Sequence, residues 1–228
     1  LASDLVIPVV VLVVAKAPVP GQAKTRLAAS VGDRAAADIA AAALLDTLDA
    51  VADAPVAARV VALTGNLDAA SSGDEIRSRL ADFTVVPQRG ADFAARLANA
   101  HADASVATNG LPVLQIGMDT PQVTGDLLAE CTRELLAADA VLGLARDGGW
   151  WVLGVTDAPA ADCLRSVPMS RPDTGAVTLA ALGGTTANVS LVPTLADVDT
   201  VEDVDVVRAQ CAPESRFARA TRGVTHAR

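Results

Sequence analysis

From Lys16 to Arg26 the chain reads Lys-Ala-Pro-Val-Pro-Gly-Gln-Ala-Lys-Thr-Arg, with three cations, two prolines and a glycine in one short stretch. That mixture suits phosphate. Gly21 lets backbone N–H groups come close to an oxyanion, and Lys16, Lys24 and Arg26 supply charge-assisted hydrogen bonds. Lys24-Thr25 looks like the end of a P-loop, but that motif requires glycine immediately before the lysine, and Ala23 stands there. The bland alternative is a stiff, solvated basic loop. A second group is Gly117-Met118-Asp119-Thr120-Pro121. An Asp delivered by a strand can hold Mg²⁺ or Mn²⁺, and Mg²⁺ takes only one or two carboxylates beside substrate phosphates. Asp is also a common turn former, which is the plain reading of Asp119. A third group, Asp197-Val198-Asp199-Thr200-Val201-Glu202-Asp203, reads in part as a helix start. Thr200 can cap, and Glu202 and Asp203 answer the dipole. That leaves Asp197 and Asp199 unexplained, and Asp199 is the candidate second metal ligand.

Two further groups offer recognition rather than charge. Asp147-Gly148-Gly149-Trp150 is either a tight hairpin turn or a place where an acceptor lies against bare backbone, its hydroxyl or amine bonded to Asp147. Gln88-Arg89-Gly90, followed by Arg96, contains a side chain able to read a base or ribose in Gln88. Arg89 and Arg96 also fit simple solvation. Histidine chemistry is discounted, since His101 and His226 lack partners at metal or triad spacing. Covalent catalysis is discounted too: Ser170 and the cysteines have no base nearby in sequence, and no G-x-S-x-G element occurs.

The elements that must carry these groups alternate. Strands are predicted at 9–15, 58–64, 84–88, 112–117, 140–145, 150–155 and 189–193, and helices at about 33–53, 73–81, 91–104, 125–137 (capped by Thr124), 177–182 and 200–211. Helical spacers between strands imply parallel pairing with crossovers. Asp-Gly at 147–148 predicts one hairpin, hence one antiparallel strand in a mostly parallel sheet with helices on both faces. In such α/β sheets ligands sit beyond the carboxyl ends of the strands. The unusual polar residues all follow strands. One domain is expected over 1–211, with a polar, basic, frayed tail over 212–228.

Composition narrows the partners. A hydrophobic fraction of 51% with 20% charged residues reads as a folded globule rather than a disordered chain. A net charge of −9 and an aromatic fraction of 2% argue against nucleic acid and anionic lipid, which call for a basic face or stacking rings. The apolar run from Leu5 to Ala15 is too short to span a bilayer and has no basic stretch before it, so it reads as a buried strand. Cys131, Cys163 and Cys211 lie far apart without metal spacing, as reduced structural thiols do. A cytoplasmic location is expected.

Taken in order, the five groups resemble the glycosyltransferase-A-like proteins described as radical-SAM/selenodomain-associated, or arsenosugar-biosynthesis, transferases. That family shows K-x-P-x-x-G-x-x-K-T-R-L, which stands here as KAPVPGQAKTRL over 16–27. It then shows Gln, Gly and Arg (Gln88, Gly90, Arg96), G-x-D-x-P (GMDTP), D-G-G-Y (DGGW at 147–150) and D-x-D-T-x-E-D (DVDTVED). The resemblance covers residues 8–210. Two departures stand out. Phe93-Ala94-Ala95 precedes Arg96 where the family often has Leu-Gly-Glu, and Trp150 replaces a tyrosine.

The resemblance implies a Rossmann-like glycosyltransferase-A fold of the nucleotide-diphospho-sugar transferase superfamily and a metal-dependent transferase activity. Mg²⁺ or Mn²⁺ would be held by Asp119 and Asp199. Lys16, Gly21, Lys24, Thr25, Arg26, Gln88 and Arg96 would bind the nucleotide, with Lys24, Arg26 and Asp119 catalytic. Asp147, Gly148, Gly149 and Trp150 would meet a small-molecule acceptor. Nucleotidyl transfer from a nucleoside triphosphate is slightly preferred, because the cationic loop suits a triphosphate. Glycosyl transfer from a nucleotide sugar and a non-catalytic nucleotide-binding module are the alternatives.

Overall fold

The computed structural model describes residues 6–224. His226 and the end of the expected tail lie outside the described residues, as does the start of the apolar run at Leu5. Strand β1, Ile7–Lys16, is buried along almost its whole length because both its faces are covered. Val9, Val11 and Val13 point into one apolar cluster, and Val10, Leu12 and Val14 into the other. This period of two feeding two cores explains why the strand reads as an unbroken apolar run.

Around β1 the sheet has seven strands in the order β3-β2-β1-β4-β6-β5-β7. The others are β2 (Val56–Thr64), β3 (Thr84–Pro87), β4 (Val113–Ile116), β5 (Ala140–Ala145), β6 (Trp150–Val155) and β7 (Val189–Leu195). Pairing is parallel between β1 and β2, β1 and β4, β2 and β3, and β5 and β7. Strand β6 alone runs against its neighbours β4 and β5, as the Asp-Gly hairpin predicts.

Helices cover both faces. On one side α2 (Asp33–Asp53), α3 (Gly73–Leu80) and α5 (Gly125–Ala137) bury Leu44, Leu48, Ile76, Leu128 and Leu135. On the other, α4 (Phe93–Ala107), α6 (Thr174–Gly183) and a 3₁₀ stretch over Ala158–Ser166 bury Leu97, Ala104, Leu164 and Leu182. Thr124 caps α5 by accepting the N–H of Leu127 at 3.2 Å. Among the described residues, no helix is long and apolar enough to cross a membrane, and the three cysteines are free thiols.

Two parts differ from the sequence expectation. A short helix, α1 (Thr25–Val31), follows the cationic loop directly and is separated from α2 only by Gly32. The frayed tail is not observed between Ala212 and Val224. There α8 (Arg216–Ala220) docks its fully buried Phe217 beside Leu27, Ile39 and Val204, the last from α7 (Val201–Arg208). Burying one phenylalanine is worth about 2–3 kcal/mol. The Asp46 carboxylate accepts the N–H groups of Arg216 (3.1 Å) and Phe217 (2.8 Å), while the Arg216 guanidinium meets Asp49 and Glu75. One aromatic anchor and a network of charges thus hold a segment whose composition is polar.

Candidate functional site

A cleft of about 790 Å³ opens at the carboxyl ends of β1, β4 and β2. Of the residues singled out in sequence, Lys16, Arg26, Gln88, Arg96, Asp119, Asp147, Gly149, Trp150 and Asp199 line it. Lys24 contributes its ammonium to Asp119 in the cleft wall. Gly21, Thr25 and Gly148 are not part of the lining. A second hollow, of about 500 Å³, lies near the start of β5 and the end of β6, away from these groups.

The cationic loop delivers its charges onto the carboxylates. Lys24 Nζ lies 2.8 Å from Asp119 Oδ2 and also donates to the carbonyl of Val198. Only 10% of its side chain is exposed, against 38% for Asp119. Lys24 takes a left-handed backbone conformation, φ 48°, at the residue before α1. A non-glycine residue held there stores about 1–2 kcal/mol. Two residues on, Arg26 Nη1 reaches Asp199 Oδ2 at 2.5 Å. Lys16 turns its ammonium to the carbonyl of Gln22 at 2.8 Å. Gly21, at φ 76°, faces the Asp33 carboxylate and shapes the loop rather than the cleft.

The acids come from two distant segments. Asp119 follows β4, and its carbonyl accepts the N–H of Val198 at 3.0 Å, which fastens segment 197–199 alongside. Asp203 in α7 accepts from the N–H groups of Asp199 (3.1 Å) and Thr200 (2.7 Å) and from the Thr200 hydroxyl (2.9 Å). Thr200 and Asp203 thus form a reciprocal capping box, with Thr200 capping α7 as the sequence predicts and Asp203 answering from the third helical position, and Asp203 also fixes the backbone of Asp199. Asp197 also lines the cleft. Burial first, then the neighbouring Asp147 carboxylate and, more weakly, Asp119, push its carboxyl up to about 6, against the pull of its backbone hydrogen bond and of Lys24. Sequence reasoning noted Asp197 as unexplained but gave it no role. Its signal is this closeness to Asp119 and Asp147, which adjacency in sequence cannot show.

Gln88 is half spent on the scaffold: its amide nitrogen donates to the carbonyls of Ala15 (2.8 Å) and Ala62 (3.0 Å), tying the ends of β1 and β2 together. Its carbonyl oxygen remains for a ligand. Arg89 is paired with Asp103 and does not line the cleft. Arg96 reaches only the carbonyl of Gly90, at 3.4 Å. At the hairpin, Asp147 accepts the N–H of Gly149 at 2.8 Å. Gly148 does not face an acceptor: a Cβ there would lie 1.9 Å from the carbonyl oxygen of Pro172, and its own carbonyl accepts the N–H of Gly175 at 2.7 Å. Its missing side chain lets the loop over 168–175 close against the hairpin, and that loop lines the cleft with Met169, Ser170 and Arg171.

Three buried polar atoms at the end of β4 have no hydrogen-bond partner: Gln115 Oε1, Asp119 Oδ1 and Thr120 Oγ1. All three residues line the cleft. An orphaned buried polar atom costs about 1–3 kcal/mol, so such a group marks where a ligand would be welcome. The free Asp119 oxygen fits a hard cation, which seeks one or two carboxylates and completes its shell with water and phosphate oxygens. Among the described residues, no cluster of three or more acid, histidine or cysteine side chains forms a cage for a metal.

The chain matches the family model described as "Uncharacterized protein conserved in bacteria (DUF2064)" over residues 47–171, more than half its length. It belongs to that family. The match takes in Gln88, GMDTP and DGGW, while the cationic loop and the 197–203 acids lie outside it. No curated protein matches the chain significantly. Among solved structures, the fold is similar to that of a Desulfovibrio desulfuricans G20 protein provisionally named a nucleotide-diphospho-sugar transferase. The TM-score is 0.80 and the identity 24%, over 95% of this chain and 96% of that one. It is also similar to Rv0371c of Mycobacterium tuberculosis H37Rv, solved in complex with manganese, at TM-score 0.54 and 19% identity over 88% and 97% of the two chains. A cytidylyltransferase from Leptospira borgpetersenii gives TM-score 0.56 and 14% identity over 95% and 93%. The fold is the Rossmann-like α/β fold that these structures share.

Proposed function

We propose that the chain is a metal-dependent transferase that moves a nucleotidyl group from a nucleoside triphosphate to a small acceptor. The observation that carries this reading is the pairing of loop cations with distant acids in one cleft: Lys24 on Asp119 and Arg26 on Asp199. Phosphates entering the cleft would draw Lys24 and Arg26 away from the carboxylates. Asp119 and Asp199, with Asp197 beside them, would then hold Mg²⁺ or Mn²⁺. When bound, the cation supplies charge neutralisation at the phosphates and orientation for in-line displacement.

The remaining work falls to the chain itself. Lys16, Lys24 and Arg26 stabilise charge as it moves to the leaving group. Gln88 and Arg96 orient the nucleotide from the β1–β2 side. The acceptor oxygen forms a bond to the α-phosphorus, the α–β phosphoanhydride bond breaks, and pyrophosphate leaves with the electron pair. Asp147 accepts the hydrogen bond, and then the proton, of the acceptor hydroxyl. Trp150 offers the acceptor an apolar face. Fold likeness to a cytidylyltransferase and to a manganese-bound protein supports this reading. The five ordered motifs extend it to kinship with the radical-SAM/selenodomain-associated (arsenosugar-biosynthesis) transferases, in a single catalytic unit.

Pyrophosphate release, measured across a panel of nucleoside triphosphates with Mg²⁺ or Mn²⁺ and candidate acceptors, tests the proposal. Pyrophosphate formed with an acceptor supports it. Nucleoside diphosphate released from a nucleotide sugar would replace it with glycosyl transfer, a reading favoured by the fold likeness to the D. desulfuricans protein. Tight nucleotide binding that ignores metal and yields no product would leave a binding module.

A further inference from the structure

Gln115 lies in the middle of a sheet whose other interior positions are apolar. In register it sits between Leu12 of β1 and Leu153 of β6. Both leucines belong to the core on the α4 side, so Gln115 points to that face. The residue is 1% exposed, its amide oxygen Oε1 is buried without a hydrogen-bond partner, and it lines the cleft. Four apolar residues of the cleft lining, Val14, Leu97, Trp150 and Met169, belong to or pack against that same core. The same face holds a second unpaired polar side chain, His101, one helical turn beyond Leu97 and fully buried.

Packing alone does not account for this arrangement. Methionine or leucine at 115 would fill the same space without leaving an amide oxygen unpaired, and an unpaired amide oxygen in an apolar interior is a standing penalty. A polar group on a ligand removes that penalty. A charged group does not suit the position, since Leu12 and Leu153 flank the amide and give no counter-charge. A hydroxyl suits it, because it can donate to the amide oxygen or accept from the amide nitrogen.

We infer that Gln115 is a specificity-determining residue for the acceptor: the cleft takes a molecule with an apolar, ring-like body whose buried end carries a neutral hydroxyl, and Gln115 hydrogen-bonds that hydroxyl. The assignment to the acceptor rests on the reading above that the Trp150 side of the cleft receives it. Phe93, half exposed, and Trp150 line the same cleft and offer rings on which the body of the molecule would stack. A site built to hydrogen-bond a hydroxyl rejects the analogue lacking it, because the buried partner is left unpaired.

The test uses two probes with the full chain, 4-fluorophenol and fluorobenzene, titrated by ¹⁹F NMR against wild type and Gln115→Met. The expected result is a preference of about tenfold for the phenol in wild type that disappears in Gln115→Met, as one buried hydrogen bond predicts. The variant should also melt higher by about 2–4 °C, from removal of an unpaired amide oxygen. Equal preference in both proteins, or binding of neither probe, overturns the inference. Gln115→Leu, a second apolar replacement, guards against a packing defect peculiar to methionine. Because the readout needs neither nucleotide nor turnover, absence of transferase activity leaves this result standing, and active transfer without the probe preference rejects the Gln115 role alone.

Discussion

Replacing Lys24 by methionine removes the ammonium but keeps an unbranched stem, so its comparison with wild type isolates one charge. At 2.8 Å from Asp119 the ion pair attracts by about 6 kcal/mol at an effective dielectric of about 20. Desolvation of the nearly buried lysine offsets most of that, and solvent at the more open Asp119 screens the rest, leaving a net of about 1–2 kcal/mol. For a chain of this length that is a fall in melting temperature of about 3–6 °C. The same substitution leaves Asp119 without its cation, so millimolar Mg²⁺ or Mn²⁺ no longer has to displace Lys24. The variant should therefore gain more thermal stability from the metal than wild type does, through mass action. Turnover should move the other way. Loss of a donor aimed at shifting phosphate charge costs about 3 kcal/mol of barrier, a drop of about a hundredfold or more. Melting curves with and without metal, alongside a pyrophosphate-release assay, give both numbers. A Lys24→Met protein with wild-type turnover and an unchanged metal response would refute the reasoning.

Asp119→Ala should abolish turnover while leaving a folded protein, checked by circular dichroism and the same release assay. His101 is buried without a partner for either ring nitrogen, and burial lowers its imidazole to about 3. The unfolded chain takes up this proton below about 6.5, so the stability from burying neutral His101 is full above that pH and is lost as pH falls towards 3. At pH 5 the loss is about 2 kcal/mol, and in denaturant titrations His101→Leu should flatten this part of the pH profile. Gly148→Ala places a methyl group where the Pro172 carbonyl stands, at φ 92°, and should cost about 2–4 kcal/mol by thermal melting. It should also lower activity, since the loop it displaces lines the cleft.

The strands were readable because β-branched and apolar runs such as 9–15 carry their own signal, and the reversal of β6 was readable because Asp147-Gly148 announces a hairpin. Helix α1 was not. Its few residues follow a loop dense in Pro and Gly, and its start depends on Lys24 holding a left-handed conformation that an Asp119 contact nearly a hundred residues away supports. The docking of α8 hid for a similar reason: one aromatic, Phe217, anchors a polar segment, and its partners come from α1, α2 and α7. The residue types of the site were legible at strand ends, where the sheet architecture sends ligands. Their pairing was not, since Lys24 with Asp119 and Arg26 with Asp199 are contacts made only by folding. Gln115 escaped notice because a glutamine in a strand reads as a break in an apolar pattern; only the burial of its amide oxygen without a partner gives it meaning. The role first given to Gly148 illustrates the converse, for a glycine that permits close approach does so here for Pro172.

Electron paramagnetic resonance titration of Mn²⁺ into wild type, Asp119→Ala and Asp199→Ala tests most directly whether the two carboxylates share one cation. The account predicts a saturable site in wild type that is lost in Asp119→Ala and weakened in Asp199→Ala. Identical Mn²⁺ binding by all three proteins would contradict it.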